Sequence, residues 1–257
     1  MPTNEGGEVG GRALSFGPAA GLYEQARPGY PAEAVAWMLG VPPQLVVDLG
    51  AGTGKFSRAL VTAGHDVVAV EPDPLMAAEL RAAGVPGVRV LAGRAEAIPV
   101  RNAGVDAVVA AQAYHWFEPV AAHAEIARVV RPGGVFAPLW NLRDDSVPWV
   151  AELSCIAGSE DTQRDAPERL AGFGQFEAAE FRHTTTLTAD SLVALVATRS
   201  YYLTAGPGRR AEIEAGLREL AAGLPARFDL PYRTVAFRAV REGAPIPAGR
   251  WDGRRIG

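Results

Sequence analysis

Between residues 45 and 140, the chain alternates between short apolar runs and longer stretches of mixed polarity. The apolar runs predict β-strands at 45–49, 66–70, 88–91, 105–111 and 135–140. The stretches between them predict helices at 56–63, 75–83 and 120–130. Strands that are apolar throughout are typical of a parallel sheet covered by helices on both faces. We therefore predict an α/β fold with right-handed crossovers.

The alternation ends after Asn141. Residues 149–157, 187–202 and 209–222 have helical periodicity, whereas 176–186 and 231–240 alternate like strands and predict an antiparallel pair at one sheet edge. A further apolar series after Pro31 predicts a helix within 23–40. We expect one domain over 15–240, with lid helices at 15–40 and a helical insertion within 141–222. Residues 1–14 and 241–257 are expected to be loose tails.

Composition limits the setting and the partners. The net charge of −4 offers no electrostatic reason to expect a nucleic acid or an anionic membrane as partner. Cys155 is the single cysteine, so no internal disulfide can form, and we expect it to be a small buried residue. No apolar run reaches the roughly 18 to 20 residues of a membrane span. These features predict a cytoplasmic protein.

A glycine-rich loop follows the first strand and raises three alternatives. Asp48 precedes Gly50, Gly52 and Gly54, and Lys55 follows them. A phosphate-binding P-loop would need a glycine at Leu49 and a hydroxyl at Phe56, so this alternative fails. Lys55 is then expected to be a surface charge.

The second alternative is a dinucleotide-binding loop. Its third glycine should come one residue after Gly54, and Asp48 would repel a diphosphate at the start of the helix. A carboxylate there suits a ligand with an ammonium or sulfonium group. The third alternative, an acidic residue followed by glycines at every second position, fits Asp48, Gly50, Gly52 and Gly54.

This third pattern resembles the first motif of class I S-adenosylmethionine (SAM) methyltransferases. Glu71, 21 residues after Gly50 and at the end of the next strand, fits the acidic residue that accepts hydrogen bonds from ribose hydroxyls. Residues 93–99 with 105–108, and 131–134, resemble further motifs of the family that includes methyltransferase type 11 and the ubiquinone/menaquinone C-methyltransferases. The resemblance implies a Rossmann-like sheet of seven mostly parallel strands, with an antiparallel edge strand near the C-terminus and a helical lid.

The resemblance also implies the cofactor, SAM, and its binding residues. Asp48 is expected near the amino group, and Arg27 could pair with the methionine carboxylate. Arg94 departs from the family, which has an aspartate there for the adenine amino group. Adenine recognition is then left to the backbone at Ala95, to Glu96 or to stacking. The predicted cofactor-binding residues are Tyr23, Arg27, Asp48, Gly50, Ala51, Gly52, Gly54, Glu71, Pro72, Ala95, Glu96 and Gln112.

The residues after the fourth and fifth strands are expected to face the acceptor. His115 is the candidate general base, with ordering of its loop as the alternative. Arg143 lies with Trp140 and Asn141 in the region where acceptors often bind. The predicted substrate-pocket residues are Tyr30, Tyr114, Trp116, Trp140, Asn141 and Tyr201, with core packing as the alternative for the aromatic ones.

No metal is expected, because His65 and His183 lack ligand spacing, and His123 is expected to be an exposed helical residue. The leading hypothesis is a SAM-dependent methyltransferase that transfers a methyl group to oxygen, nitrogen or carbon of a small organic acceptor. One alternative is a protein that binds SAM or S-adenosylhomocysteine, has lost methyl transfer and acts through a protein partner. A NAD(P)-dependent oxidoreductase is the other. Monomer and homodimer both stay open.

Overall fold

A computed structural model of the chain describes residues 27–158, 167 and 169–243. The predicted tail at 1–14, the cofactor residue Tyr23 and most of 241–257 lie outside the described residues. The first element is α1 (Ala32–Leu39), which begins directly after Pro31 as predicted.

The elements that follow alternate as the sequence indicates. The strands are β1 (Leu45–Leu49), β2 (Asp66–Glu71), β3 (Val88–Ala92), β4 (Val105–Ala111), β5 (Val130–Arg143), β6 (Glu177–Leu187) and β7 (Phe228–Val240). The helices are α2 (Lys55–Thr62), α3 (Pro74–Ala82), α4 (Pro119–Val129), α5 (Pro148–Ala157), α6 (Ala189–Ala197), α7 (Ser200–Leu203) and α8 (Pro207–Ala222). A short 3₁₀ turn covers Tyr114–Trp116.

The strands form one seven-stranded sheet in the order β3-β2-β1-β4-β5-β7-β6. Strands β1 to β5 pair in parallel, and β7 runs antiparallel to both β5 and β6. The predicted α/β architecture, with an antiparallel pair at its C-terminal edge, is confirmed. The order reverses between β1 and β4, since the chain adds β2 and β3 on one side of β1 before it crosses to the other.

Helices cover both faces of the sheet. On one face, α1 and α2 bury Val35, Met38, Phe56 and Leu60 against alternate residues of the parallel strands. On the other face, α4 buries Ala122, Ile126 and Val129 against the intervening residues. This division explains why the central strands β1, β2 and β4 carry apolar residues on both faces: each face is covered by a helix.

The helices after β5 form a second hydrophobic cluster. Buried side chains of α5, α6 and α8, such as Leu153, Leu192 and Leu217, pack together and against the ends of β6 and β7. Thr188 and Ser191 form a capping box that starts α6. The predicted helix at 187–202 is divided, because α6 ends at Ala197 and α7 begins at Ser200. Cys155 on α5 is exposed, so its predicted burial is wrong.

Residues 15–40 were expected to form a lid, and 15–26 lie outside the described residues, so the lid stays a prediction. Within the described part, α1 packs against the sheet. Trp37 of α1 packs against Phe181 of β6, and the Arg238 guanidinium lies 4.4 Å from the centre of the Trp37 ring. The extended stretch 27–31 before α1 reaches the carboxyl end of the sheet, where Asn141 donates to the Gly29 carbonyl. At the other terminus, Arg241 bridges to Phe173, so the described start of the predicted C-terminal tail is held to the fold.

The glycines at 133 and 134 do not form a separate turn before the fifth strand. They lie within β5, where the pairing register with β4 shifts. Val130 pairs with Val105 and Val135 pairs with Ala107, so five residue steps on β5 face two on β4. The extra residues bulge out, and Gly134 passes close to the β4 backbone.

Replacing Gly134 with alanine should therefore destabilise the fold more than the same change at Gly133. A Cβ at Gly134 would lie 2.4 Å from the Asp106 carbonyl oxygen, whereas at Gly133 the φ of +75° is unfavourable but no atom lies within 4 Å. We expect the free energy of unfolding to fall by about 2–4 kcal/mol at Gly134 and about 1–2 kcal/mol at Gly133. Chemical denaturation measures both, and equal losses would contradict the close approach.

Candidate functional site

The candidate site lies at the carboxyl ends of β1, β2, β4 and β5. Because the strand order reverses between β1 and β4, the chain leaves these two strands in opposite directions, and a crevice forms between the departing loops. The loops that border this crevice are 50–54 after β1, 72–73 after β2 and 112–118 after β4.

The glycine loop has left-handed backbone at every predicted glycine. The φ angles are +73° at Gly50, +58° at Gly52 and +84° at Gly54. A Cβ at Gly50 would lie 2.7 Å from the Ala113 Cβ, and one at Gly54 would lie 2.2 Å from a methyl carbon of Leu80. These two glycines are thus required by the loop's own conformation and packing, a reason that the spacing alone did not reveal.

Asp48 is fully buried at the end of β1. Its Oδ2 accepts a hydrogen bond of 2.6 Å from the Ser57 hydroxyl, and its Oδ1 has no hydrogen-bond partner. Burial raises the pKa of Asp48 to about 6, although the bond from Ser57 acts in the opposite direction. The carboxyl group thus offers one acceptor atom to a donor in the crevice. Sequence reasoning missed Ser57, a polar residue on the buried face of α2.

Glu71 connects the first two loops. Its carboxylate oxygens accept hydrogen bonds from the backbone N–H of Gly52, at 2.7 Å, and of Asp73, at 2.8 Å. Burial raises the pKa of Glu71 to about 7 against the opposing effect of these two donors. Each oxygen keeps a further lone pair, which suits a pair of ligand hydroxyls. Pro72 is exposed beside it, and Ala51 packs against Leu80.

Gln112 and Asn141 join β4 to β5. Gln112 has a positive φ of 56°, which is unusual for a residue other than glycine, and its amide donates to the Asn141 carbonyl at 2.8 Å. The Asn141 side chain is 1% exposed, donates to the Gly29 carbonyl at 2.8 Å and accepts from the Thr234 hydroxyl at 2.6 Å. The Asn141 amide is engaged on both sides and so holds the surrounding segments together, while its predicted place in the substrate pocket stays a prediction.

The loop after β3 carries Arg94, Ala95 and Glu96, and their side chains have three different environments. The Arg94 side chain is 70% exposed and lies 3.9 Å from the Glu96 carboxylate. The other Glu96 oxygen accepts from the backbone N–H of Glu118, at 2.9 Å, so Glu96 also braces the loop after β4. The side chain of Ala95 is buried in the main core, which leaves its backbone for any contact in the crevice.

His115 lies on the 3₁₀ turn after β4. Its Nδ1 is 3.4 Å from the indole nitrogen of Trp140, and its ring packs against Trp116 with centroids 4.7 Å apart. Burial, followed by the nearby Arg27 charge, lowers the pKa of His115 to about 4, so the ring is neutral at neutral pH. An indole N–H can only donate, so the neutral ring carries its own proton on Nε2.

The other predicted pocket aromatics occupy different surroundings. Tyr114 packs against Phe136 and Trp140, and its hydroxyl is 2.6 Å from Nε2 of His123, so core packing accounts for it. His123 is half-buried by this contact, and its predicted exposure is wrong. Tyr201 on α7 is half-buried and lies against Gly158 at the end of α5.

The stretch 27–31 is attached to the site at several points. The Arg27 guanidinium donates to the hydroxyl and the carbonyl of Thr198 at the end of α6, each at 3.0 Å. Lys55 donates to the Arg27 carbonyl, so its predicted role as a plain surface charge is wrong. Tyr30 packs edge-on against Phe56, 4.8 Å between centroids. Thr198 is distant in sequence, and no local signal points to it.

Comparison with known proteins assigns this arrangement to a family. A methyltransferase domain model matches residues 47–137. An uncharacterized methyltransferase of Mycobacterium tuberculosis is 45% identical over 233 residues, which are 88% of this chain and 96% of that protein. The chain belongs to the class I methyltransferase family.

Two further comparisons agree with this membership. A methyltransferase-like protein of Schizosaccharomyces pombe is 34% identical to this methyltransferase over 86% of the chain and 93% of its own length. A solved structure described as a type II methyltransferase, from Anaeromyxobacter dehalogenans, aligns with a TM-score of 0.58 and 28% identity over 84% of this chain and 96% of that one. The predicted resemblance is confirmed, and family membership implies SAM as the methyl donor.

The described residues include neither a membrane-spanning helix nor a metal-binding cluster. No helix there has the length and apolar character that crossing a membrane requires. No group of three or more His, Cys, Asp or Glu side chains in that part of the methyltransferase is arranged to hold a metal ion.

Replacing His115 with glutamine should reduce the sensitivity of the methyltransferase to acid. The folded-state pKa of about 4 lies below the ordinary 6.5, so between these values the unfolded chain binds a proton that the folded chain excludes. Stability from this residue is therefore lost as the pH falls through that window, by up to about 2 kcal/mol between pH 7.5 and pH 5. Denaturant titrations at both pH values compare variant and wild type; equal losses in the two proteins would contradict the burial of a neutral ring.

Proposed function

We propose that this methyltransferase transfers a methyl group from SAM to oxygen, nitrogen or carbon of a small organic acceptor by in-line displacement. The observation that carries the proposal is the pairing of two buried carboxyl groups with the glycine loop at the sheet reversal. Asp48 has an acceptor atom without a partner, and Glu71 keeps lone pairs beside the Gly52 backbone. These groups fit a ligand that has an ammonium group and two neighbouring hydroxyls.

The residues would divide the cofactor between them. Glu71 would accept hydrogen bonds from the ribose hydroxyls. Asp48 would accept a hydrogen bond from the amino group, directly or through a water molecule. Arg27, near His115 and bonded to Thr198, would approach the methionine carboxylate. When bound, SAM supplies the methyl group and the sulfonium leaving group, so the chain contributes alignment and water exclusion.

The remaining roles follow the same division. The backbone at Ala95, with Glu96, would border the adenine, and Gln112 would position the loop after β4 through its bond to Asn141. Trp116 and Tyr201 would line the acceptor side. A small-molecule partner in the cytoplasm, without nucleic acid or membrane, agrees with the net charge of −4.

Two alternatives are separated by binding and turnover. A protein that had lost methyl transfer would bind SAM and S-adenosylhomocysteine but release no S-adenosylhomocysteine with any acceptor. A nicotinamide-dependent oxidoreductase would bind NAD⁺ or NADP⁺ in calorimetry and not SAM. No observation on the chain favours either alternative over methyl transfer.

Replacing Glu71 with glutamine should weaken S-adenosylhomocysteine binding about 10- to 100-fold, because charged hydrogen bonds to the ribose are lost. The matched control is Glu79→Gln on the exposed side of α3, which should leave the dissociation constant unchanged. Calorimetry at pH 8 measures both variants. An unaltered affinity of the Glu71 variant would remove this residue from the cofactor site.

The wild-type affinity should also depend on pH. With a pKa of about 7, only about a tenth of Glu71 is ionised at pH 6, so S-adenosylhomocysteine should bind about tenfold more weakly at pH 6 than at pH 8. Asp48, with a pKa of about 6, should add to the loss at lower pH. The Glu71→Gln variant should lack the step near pH 7, and a variant that keeps it would show that another group titrates.

The role of His115 as general base stays a hypothesis, and the geometry favours a different role. A base would need its unprotonated nitrogen toward the acceptor, but Nδ1 already faces the Trp140 indole N–H. We propose that His115 orients the acceptor through an Nε2 donor. His115→Gln keeps an N–H donor, so turnover on an acceptor found by S-adenosylhomocysteine release should stay within about tenfold of wild type; a drop of about 100-fold or more, with pH dependence lost, would restore the base.

A further inference from the structure

Arg143, the last residue of β5, is buried without an acidic partner among the residues that the structure describes. Its side chain is 4% exposed, one terminal nitrogen, Nη2, donates to the Gly158 carbonyl at 2.5 Å, and Nε has no hydrogen-bond partner. Within the described ranges, no carboxylate forms an ion pair with this guanidinium. Guanidinium groups keep their charge throughout the physiological pH range, so burial without a counter-charge is strongly unfavourable unless a ligand provides one.

The neighbouring arginines show that acids are available on these strands. Arg182 on β6 lies 2.9 Å from Asp144, the residue directly after Arg143, and Arg238 on β7 lies 2.6 Å from Glu177. Asp144 thus pairs on the opposite face of the sheet. These acids lie beside arginines that are more exposed than Arg143, which forms no ion pair with a described acid.

Along β5, Arg143 comes two residues after Asn141, which contacts the loops that border the cofactor crevice. It shares a strand face with Asn141, whose carbonyl binds Gln112 of the loop after β4, and it lies about 7 Å further along the strand. Directly across the sheet from Arg143 is Tyr232, and across from Tyr232 is His183, whose Nε2 also has no hydrogen-bond partner. Arg143, Tyr232 and His183 form a polar row across the three strands. The row lies further along β5 than Asn141, which holds Gly29 of stretch 27–31.

We propose that the methyl acceptor is an organic acid and that Arg143 binds its carboxylate, a proposal that rests on the methyltransferase function. Nη2 has a second N–H besides the one given to Gly158, and together with Nε–H it forms one planar donor edge. A carboxylate matches such an edge with two parallel hydrogen bonds. The row through Tyr232 and His183 would then border the part of the acceptor next to this carboxylate.

The test uses the full chain saturated with S-adenosylhomocysteine and simple anions as probes. Calorimetry compares benzoate and butyrate with benzamide and butyramide, which have the same shape without the charge, and with inorganic phosphate. The variants are Arg143→Gln and Arg143→Lys. The control is Arg182→Gln, because the Arg182 guanidinium of the wild type is exposed. We expect wild type and the control to bind a carboxylate at least about tenfold more tightly than its amide, the glutamine variant to lose this preference, and the lysine variant to recover part of it.

The outcomes separate this proposal from the proposed function. If wild type fails to bind S-adenosylhomocysteine, the cofactor assignment fails first. If S-adenosylhomocysteine binds but no probe distinguishes wild type from Arg143→Gln, the carboxylate site is wrong while the methyltransferase function stands. Preference for phosphate over both carboxylates would overturn the organic acid in favour of a phosphorylated acceptor. Normal S-adenosylhomocysteine binding by Arg143→Gln shows that the variant has folded.

Discussion

The Asn141 amide holds together the segments from which the site is built. The amide nitrogen donates to Gly29 of the stretch before α1, and the amide oxygen accepts from Thr234 of β7. The backbone carbonyl of Asn141 accepts from the Gln112 side chain in the loop after β4. Donor, acceptor and backbone oxygen are all used in a place with almost no exposure. Removing any one partner would leave a buried polar group unsatisfied, so the segments are held as a set.

The electrostatics of the crevice follow from burial more than from net charge. Asp48 and Glu71 have raised pKa values, and the pKa of His115 is lowered, in each case because burial disfavours the charged form. In the ligand-free protein at pH 7, His115 is therefore neutral and Glu71 is about half ionised, whereas Asp48 becomes largely protonated only below about pH 6. A ligand that donates hydrogen bonds to the carboxylates favours their ionised forms, which is why binding and proton release are expected to be coupled.

The sequence predicted the frame of the fold well because its signals are local. Continuous apolar runs identified β1 to β4, and Pro31 marked the start of α1. The motif at 131–134 was misleading in detail, because proline and glycines usually indicate a turn, whereas here they form a bulge inside β5 that only pairing with β4 determines. The extent of β5 is thus a property of two strands together.

The site residues also differ in how far local sequence determines their position. Asp48, Glu71 and the glycines lie within one βαβ unit, where spacing determines position, and sequence reasoning placed them together at the sheet edge. The function of Asn141 and the environment of His123 depend on partners distant in the chain or on side-chain direction, which spacing does not report. Residues whose environment comes from tertiary contacts were the ones that sequence reasoning misjudged.

The helices α5, α6 and α8 form a hydrophobic cluster apart from those of the sheet, and this has a consequence for how such a chain changes over evolutionary time. That cluster packs around Tyr201 and Tyr232, whereas the parallel strands that carry the glycine loop belong to the sheet clusters. Substitutions in distant clusters have nearly independent effects on stability. A lineage can therefore alter the surroundings of Tyr201 and Tyr232 while the stability of the strands that carry the glycine loop stays under its own selection.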